Sequence, residues 1–238
     1  MEHLPRTLLI TGADRGLGLA LVKEFLHHDI HVFAGVHRSS AEITRLCEVD
    51  PSRLTIIDLD VSEPDAIRSA AASVGRYTDS LDVLVNNAGV HMEDQLTPLE
   101  KLDFDDGHLE ESMAVNAFGP LRVVQAFLPL LVESACRRVV NITSEAGSID
   151  ACWRDREFAY SMSKSAANMA TRLLSNYLTG RGFSVLAVHP GWIRSDMGGP
   201  AADLSPAEAA AKVSRIVRGP LPENGAIYID YRGNTLPW

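Results

Sequence analysis

Apolar residues in this chain change period repeatedly, and that alternation limits the fold more than any other feature of the sequence. Seven short runs rich in Val, Ile and Leu occur at Thr7–Thr11, His31–Val36, Leu54–Leu59, Leu81–Asn86, Arg138–Thr143, Ser184–His189 and Ala226–Asp230. Each is apolar at successive rather than alternate positions, the pattern of a strand covered on both faces. Between them lie stretches of helical spacing. The first surrounds Leu17, Ala20, Leu21, Glu24 and Phe25, and the others are Ala41–Val49, Pro64–Val74, His108–Leu131, Phe158–Thr179 and Pro206–Val217. Strand and helix in turn make βαβ units with right-handed crossovers, which assemble a parallel sheet with helices on both sides. No Pro/Gly/Ser-rich linker, internal repeat or low-complexity tract interrupts the 238 residues. The expectation is one α/β domain, 1–238, with a doubly wound, seven-stranded parallel sheet.

Composition narrows the partners. With 22 Lys and Arg against 31 Asp and Glu, the formal charge is −9. Nucleic acid and anionic membrane surfaces both need concentrated basic groups, so neither is expected. Cys47, Cys136 and Cys152 form no CxxC pair, and an odd count argues against a disulfide framework. Met1–Arg6 does not read as a signal peptide and no 18-residue apolar stretch stands out, so a cytoplasmic protein is expected. His27, His28 and His31 cluster without a completing Cys or carboxylate set, so no metal site is expected there. Asp103, Asp105, Asp106, Glu110 and Glu111 read as a solvated helix start.

Doubly wound sheets bind ligands beyond the carboxyl ends of their strands, which directs attention to the residues following each run. Thr11-Gly12-Ala13-Asp14-Arg15-Gly16-Leu17-Gly18 follows the first run and opens the first helix. Glycines here allow a tight turn and close backbone approach to a pyrophosphate at the helix N-terminus. The G-x-x-x-G-x-G spacing departs from G-x-G-x-x-G, and alone it would also fit a βα turn without a ligand. A domain that prefers NAD carries an acid about 20 residues beyond the glycines, against the ribose 2′-hydroxyl. Val36, His37 and Arg38 stand there instead. Arg38 and Arg15, with His37 sharing the role if the register shifts by one, are suited to a 2′-phosphate. NADP(H) is therefore expected over NAD(H).

Tyr160 and Lys164 lie four apart on one helical face, and with five tyrosines and four lysines in the chain such a pair is rare by chance. Free tyrosine titrates near ~10, so acid–base work near neutrality asks for a value about three pH units lower, roughly 4 kcal/mol. A neighbouring ammonium acts in that direction. Ser144, 16 residues earlier, carries a hydroxyl that can donate to a substrate oxygen. Thr143 beside it carries another. Arg154-Asp155-Arg156-Glu157 could be a surface run or face a polar substrate, and Trp192 could line a pocket or simply pack.

In order along the chain, Thr11–Gly18, Asp60-Val61, Asn86-Asn87-Ala88-Gly89, Asn116, Val140–Ser144, Tyr160-Ser161-Met162-Ser163-Lys164 and His189-Pro190-Gly191 resemble the motifs of the short-chain dehydrogenase/reductase family. His189–Gly199 and Leu236-Pro237-Trp238 further resemble its C-factor and Sniffer-like carbonyl-reductase branch. The resemblance implies a Rossmann fold binding a nicotinamide dinucleotide, and reduction of a carbonyl or oxidation of an alcohol in a small molecule. By position it implies Asn116, Ser144, Tyr160 and Lys164 as the catalytic set, with Ser144 favoured over Thr143. It implies cofactor contacts from Gly12, Asp14, Arg15, Gly16, Leu17, Gly18, Asp60, Val61, Asn87, Ala88, Gly89, Pro190, Gly191, Ile193 and Ser195. Lys164 would also hold the nicotinamide ribose, and Asn116 a water in a proton relay. Subunit pairing, as a dimer or tetramer, would use the helices of Asn116 and Tyr160.

Two other functions share this fold. A non-catalytic cofactor sensor commonly loses the tyrosine or the lysine, and both are present. A sugar-nucleotide epimerase or dehydratase needs an added substrate domain, for which the 46 residues after Trp192 are too few.

Overall fold

The computed structural model describes residues 5–93, 96–222, 225 and 227–238. Strands β1 Thr7–Thr11, β2 His31–Val36, β3 Leu54–Asp58, β4 Val83–Asn86, β5 Arg138–Ile142, β6 Ser184–His189 and β7 Tyr228–Asp230 form one sheet in the order β3-β2-β1-β4-β5-β6-β7. Every pairing is parallel. Helices α1 Gly16–Leu26, α2 Ala41–Val49, α3 Pro64–Val74, α4 His108–Met113, α5 Gly119–Val132, α6 Phe158–Leu178 and α7 Pro206–Arg218 make the connections.

Each strand supplies side chains to two apolar layers, which explains the unbroken apolar runs. Leu8 and Ile10 of β1 join Leu21, Val22 and Phe25 of α1 and Val213 and Val217 of α7 on one face. Leu9 joins Ile67 and Val74 of α3 and Val123, Phe127 and Leu131 of α5 on the other. Local signals fix the helix starts. Ser40 accepts the Ile43 N–H ahead of α2, and Ser205 with Glu208 forms a reciprocal cap on α7.

Several boundaries differ from the sequence reading, each for a local reason. Leu81 and Asp82 fall outside β4: the Leu81 N–H donates to Leu130, and the Asp82 carboxylate accepts the N–H groups of Arg6 and Thr7. Strands β3 and β5 close one residue early, although the N–H groups of Leu59 and Thr143 still donate to Val36 and Val188. Ala226, the expected start of the last strand, lies outside the described residues. The expected single helix over His108–Leu131 is α4 and α5 joined through a π-helical turn at Ala114–Phe118. The most apolar 18 residues of this combined run reach a mean hydropathy of 1.4, long and apolar enough to cross a membrane by length and composition alone. That corrects the expectation that no stretch reaches such a length. Its Val123, Val124, Phe127 and Leu131 pack beneath the sheet.

The chain runs from β1 outward through β2 and β3, then crosses back to place β4 on the other side of β1. That reversal opens a crevice beyond the carboxyl ends of β1 and β4.

Candidate active site

The glycine turn after β1 lies directly on the segment after β4. A Cβ on Gly18 would meet the Gly12 carbonyl oxygen at 2.0 Å and Asn87 Nδ2 at 2.6 Å. Gly12 has φ +64°, and a Cβ there would meet Ala88 Cα at 2.8 Å. Both contacts require glycine. The Asn87 amide donates to the carbonyls of Thr11 and Gly12, while the Thr11 hydroxyl accepts the N–H groups of Asn87 and Ala88. Asn87 thus braces the turn through its side chain. Helix α1 begins with neither a side-chain cap nor an acidic residue in its first turn, leaving its N-terminal N–H groups open to an anion. These features fit a dinucleotide diphosphate.

At the β2 exit, the Ser40 hydroxyl donates to the Asp14 carbonyl and ties the two turns together. His37 Nε2 lies 3.4 Å from Asp60 Oδ2, which settles its direction, whereas Arg38 is exposed with no ion pair among the described residues. Arg15 is 76% exposed at its side chain, with Nε 3.9 Å from Asp14. Burial would raise the Asp60 carboxyl, but hydrogen bonds from Ser62 and the charge of His37 hold it below its usual range. Val61 is buried against Gly119. Across the crevice, Pro190 and Gly191 turn the chain after β6. Ile193 bridges to Leu204, and the Ser195 hydroxyl donates to the Ile193 carbonyl and accepts the Gly198 N–H. A Cβ on Gly16 would lie 3.9 Å from Ser195 Cβ, so this segment faces the glycine turn.

Ser144, Tyr160, Lys164 and Asn116 converge beyond β5. The Ser144 hydroxyl, which accepts the Ala146 N–H, lies close enough to the Tyr160 phenol to favour its ionised form. The Thr143 hydroxyl instead donates to Asn168 Oδ1 at 2.7 Å, so the two adjacent hydroxyls separate as strand alternation requires. Lys164 is 5% exposed; its Nζ donates to the Ile142 carbonyl at 3.4 Å and lies 5.7 Å from the Tyr160 ring centroid. Asn116 sits in the π-helical turn, accepts the Val90 N–H, and donates to the Val90 carbonyl and Ser163 Oγ. A Cβ on Gly89 would lie 3.2 Å from Asn116 Oδ1 and 3.4 Å from Lys164 Nζ, so the segment after β4 also meets this cluster.

The titration of the pair differs from the sequence expectation. Burial pushes the Tyr160 phenol up to about 12 despite the opposing influence of the Ser144 hydroxyl, and burial pulls Lys164 down to about 8. Desolvation outweighs any help from the ammonium in the chain itself. At neutral pH the phenol carries its proton. It is poised as a donor.

Two neighbours of Tyr160, Glu93 and His91, carried no functional signal in the sequence. Glu93 accepts the N–H groups of Ala159 and Tyr160, both at 2.9 Å, and so caps α6. The His91 ring stacks on Tyr160 with centroids 4.3 Å apart, and its Nε2 is 3.5 Å from Glu157. Burial lowers the His91 value, with Glu157 and Glu93 opposing that shift. The run Arg154–Glu157 divides. Asp155 is exposed, but Arg154 turns inward onto Glu145 and Glu157. Below the site, the Tyr228 hydroxyl donates to the Ser144 carbonyl at 2.7 Å, and the Trp238 carbonyl accepts the Ile149 N–H. Trp192 is half-exposed, its indole N–H donating to the Gly198 carbonyl.

The short chain dehydrogenase family model matches residues 6–204. The C-signal protein of Myxococcus xanthus is 41% identical over 161 residues, covering 68% of this chain and 95% of that protein. Among solved structures, the NADPH-bound carbonyl reductase from chicken fatty liver has a TM-score of 0.88 at 30% identity, covering 99% of this chain and all of that one. The carbonyl reductase Sniffer of D. melanogaster reaches 0.90 at 29% identity, with the same coverage.

Proposed function

The chain belongs to the short-chain dehydrogenase family, and from that premise we propose that it is an NADP(H)-dependent carbonyl reductase with Tyr160 as proton donor. Family membership makes it an oxidoreductase that uses a nicotinamide cofactor on small molecules. The finer reading rests on this chain's own groups.

The diphosphate would lie against Gly12, Asp14, Gly16, Leu17 and Gly18 at the open start of α1. Asp60 and Val61 would flank the adenine end, and Ala88 and Gly89 the middle of the crevice, with Asn87 keeping the turn in shape. Pro190, Gly191, Ile193 and Ser195 would present main-chain and hydroxyl groups to the carboxamide. Arg38 and Arg15 would take the 2′-phosphate as charge-assisted donors, with His37 held beside them by Asp60. When bound, a reduced nicotinamide supplies hydride. Ser144 donates a hydrogen bond to the substrate oxygen as negative charge grows there, and Tyr160 transfers its proton to that oxygen. Lys164 holds the ribose and supplies positive charge for the phenolate left behind. Asn116 braces α6 against Val90.

The observation that carries this reading is the buried Lys164 ammonium 5.7 Å from the Tyr160 ring centroid, with the Ser144 hydroxyl beside the phenol. A panel of aldehydes and ketones assayed for NADPH consumption tests it. Tyr160→Phe should abolish turnover while NADPH affinity, read by fluorescence titration, stays within a few-fold. Retention of a tenth or more of the wild-type rate would assign the tyrosine a structural role.

A further inference from the structure

Arg154 joins the two residues that flank the proposed catalytic hydroxyls. Its Nη1 and Nη2 donate to Glu145 Oε2 and Oε1, and its Nε to Glu157 Oε2, all at 2.7 Å. Glu145 follows Ser144 directly. Glu157 precedes α6 by one residue and Tyr160 by three, with a left-handed φ of 60°. A non-glycine residue persists in that strained conformation only where its surroundings enforce it. The side chains of Arg154 and Glu157 are both 16% exposed.

Each hydroxyl also has its own anchors. The Ser144 carbonyl accepts from Tyr228 and the Glu145 N–H donates to His189, while the start of α6 is capped by Glu93. A bidentate guanidinium adds a planar, direction-fixing link between these two anchored segments. We infer that Arg154 is a positioning residue for the proposed carbonyl reduction, its planar fork setting how Ser144 and Tyr160 face one another. The inference rests on the assignment of Tyr160 as proton donor.

The same fork balances charge. Glu145 and Glu157 favour the protonated phenol and Arg154 opposes them. The other charged or titratable groups around Tyr160 are Lys164 on α6, His91 and Glu93 after β4, and His189 at the end of β6. Removing Arg154 leaves two uncompensated carboxylates beside the phenol, so the ionisation of Tyr160 should move to higher pH.

Three variants with the full chain decide the matter: Arg154→Met, Arg154→Lys and Tyr160→Phe. Arg154→Met should lower kcat about 10- to 100-fold, the scale of an ångström-sized misplacement, while the KM for NADPH stays within about twofold. In alcohol oxidation with NADP+, its pH–rate limb should shift upward. Arg154→Lys keeps the charge without the fork, so it should lose kcat similarly with the limb unmoved. Unchanged kcat per folded molecule and an unmoved limb in Arg154→Met, or unchanged kcat in Arg154→Lys should the Met variant not fold, overturns the inference. Lower melting temperatures alone do not rescue it. An active Tyr160→Phe brings down the catalytic assignment and this inference with it. An inactive Tyr160→Phe beside a fully active Arg154→Met brings down only the role of Arg154.

Discussion

The helix starts α1 and α6 stand on the same crevice and are finished in opposite ways. α1 begins with no cap and no acid, and Arg15 and Arg38 stand in solvent nearby. α6 begins with its N–H groups already taken by Glu93, and Ser144, Asn116, Glu145 and Arg154 all have protein partners. A helix N-terminus left open attracts an external anion, whereas one filled by the chain's own carboxylate is fixed before any ligand arrives. The difference separates binding from chemistry. Donors at the cofactor end wait for charge, and those at the chemical end hold geometry in advance.

The sharpest way to break this division is Ser144→Ala. It should cost about 10²- to 10³-fold in kcat, the scale of one lost oxyanion donor, with NADPH affinity unchanged in a fluorescence titration. A large loss of cofactor affinity would show that the two ends are not separable.

Next in size is a pH effect at Lys164. Its folded value is pulled down to about 8 from 10.5, so between those values the unfolded chain binds the extra proton and stability rises with pH. Tyr160, raised to about 12, works in the other direction only above its unfolded value near 10. Denaturant unfolding of the cofactor-free protein should therefore show wild type gaining about 2 kcal/mol on Lys164→Met between pH 8 and 10. A parallel pair of curves would mean that the ammonium is not desolvated.

At the open end, Arg38→Asp should reverse an NADPH preference of at least tenfold, about 1.4 kcal/mol. The new carboxylate repels the phosphate and can accept from a 2′-hydroxyl. Equal affinities for both cofactors in the wild type would remove the role assigned to Arg38. Arg15→Ala should do least, weakening NADPH by about 1 kcal/mol or less because its guanidinium is largely solvated.

The same contrast explains what could be read from the sequence. The parallel sheet and the glycine turn were legible because continuous apolar runs and glycines at close backbone approaches are local signatures. Tyr160 and Lys164 were legible as a helical pair. Arg154 was not, because Arg154-Asp155-Arg156-Glu157 reads the same whichever members turn inward. Asp155 faces solvent and Arg154 does not, a choice made by Glu145 nine positions earlier. Glu93 and His91 were silent because their partners lie 66 or more residues away. The burial of Tyr160 and Lys164 was illegible for a related reason: proximity of the two is visible in a motif, but the dry surroundings of both groups are not.

The π-helical turn at Ala114–Phe118 has a geometric consequence beyond seating Asn116. A π-helical turn takes about one residue more than the 3.6 of an α-helical turn, so it absorbs an extra residue while the helix beyond it keeps its face toward the sheet. Val123, Phe127 and Leu131 of α5 accordingly pack in the apolar layer with Leu9 of β1. Shortening the turn by one residue would regularise the helix and leave their apolar stripe facing the sheet, while removing the bulge that seats Asn116 against Val90. The seat of the Asn116 amide is thus a local widening of the helix, which a one-residue deletion would erase while the footing of α5 survives.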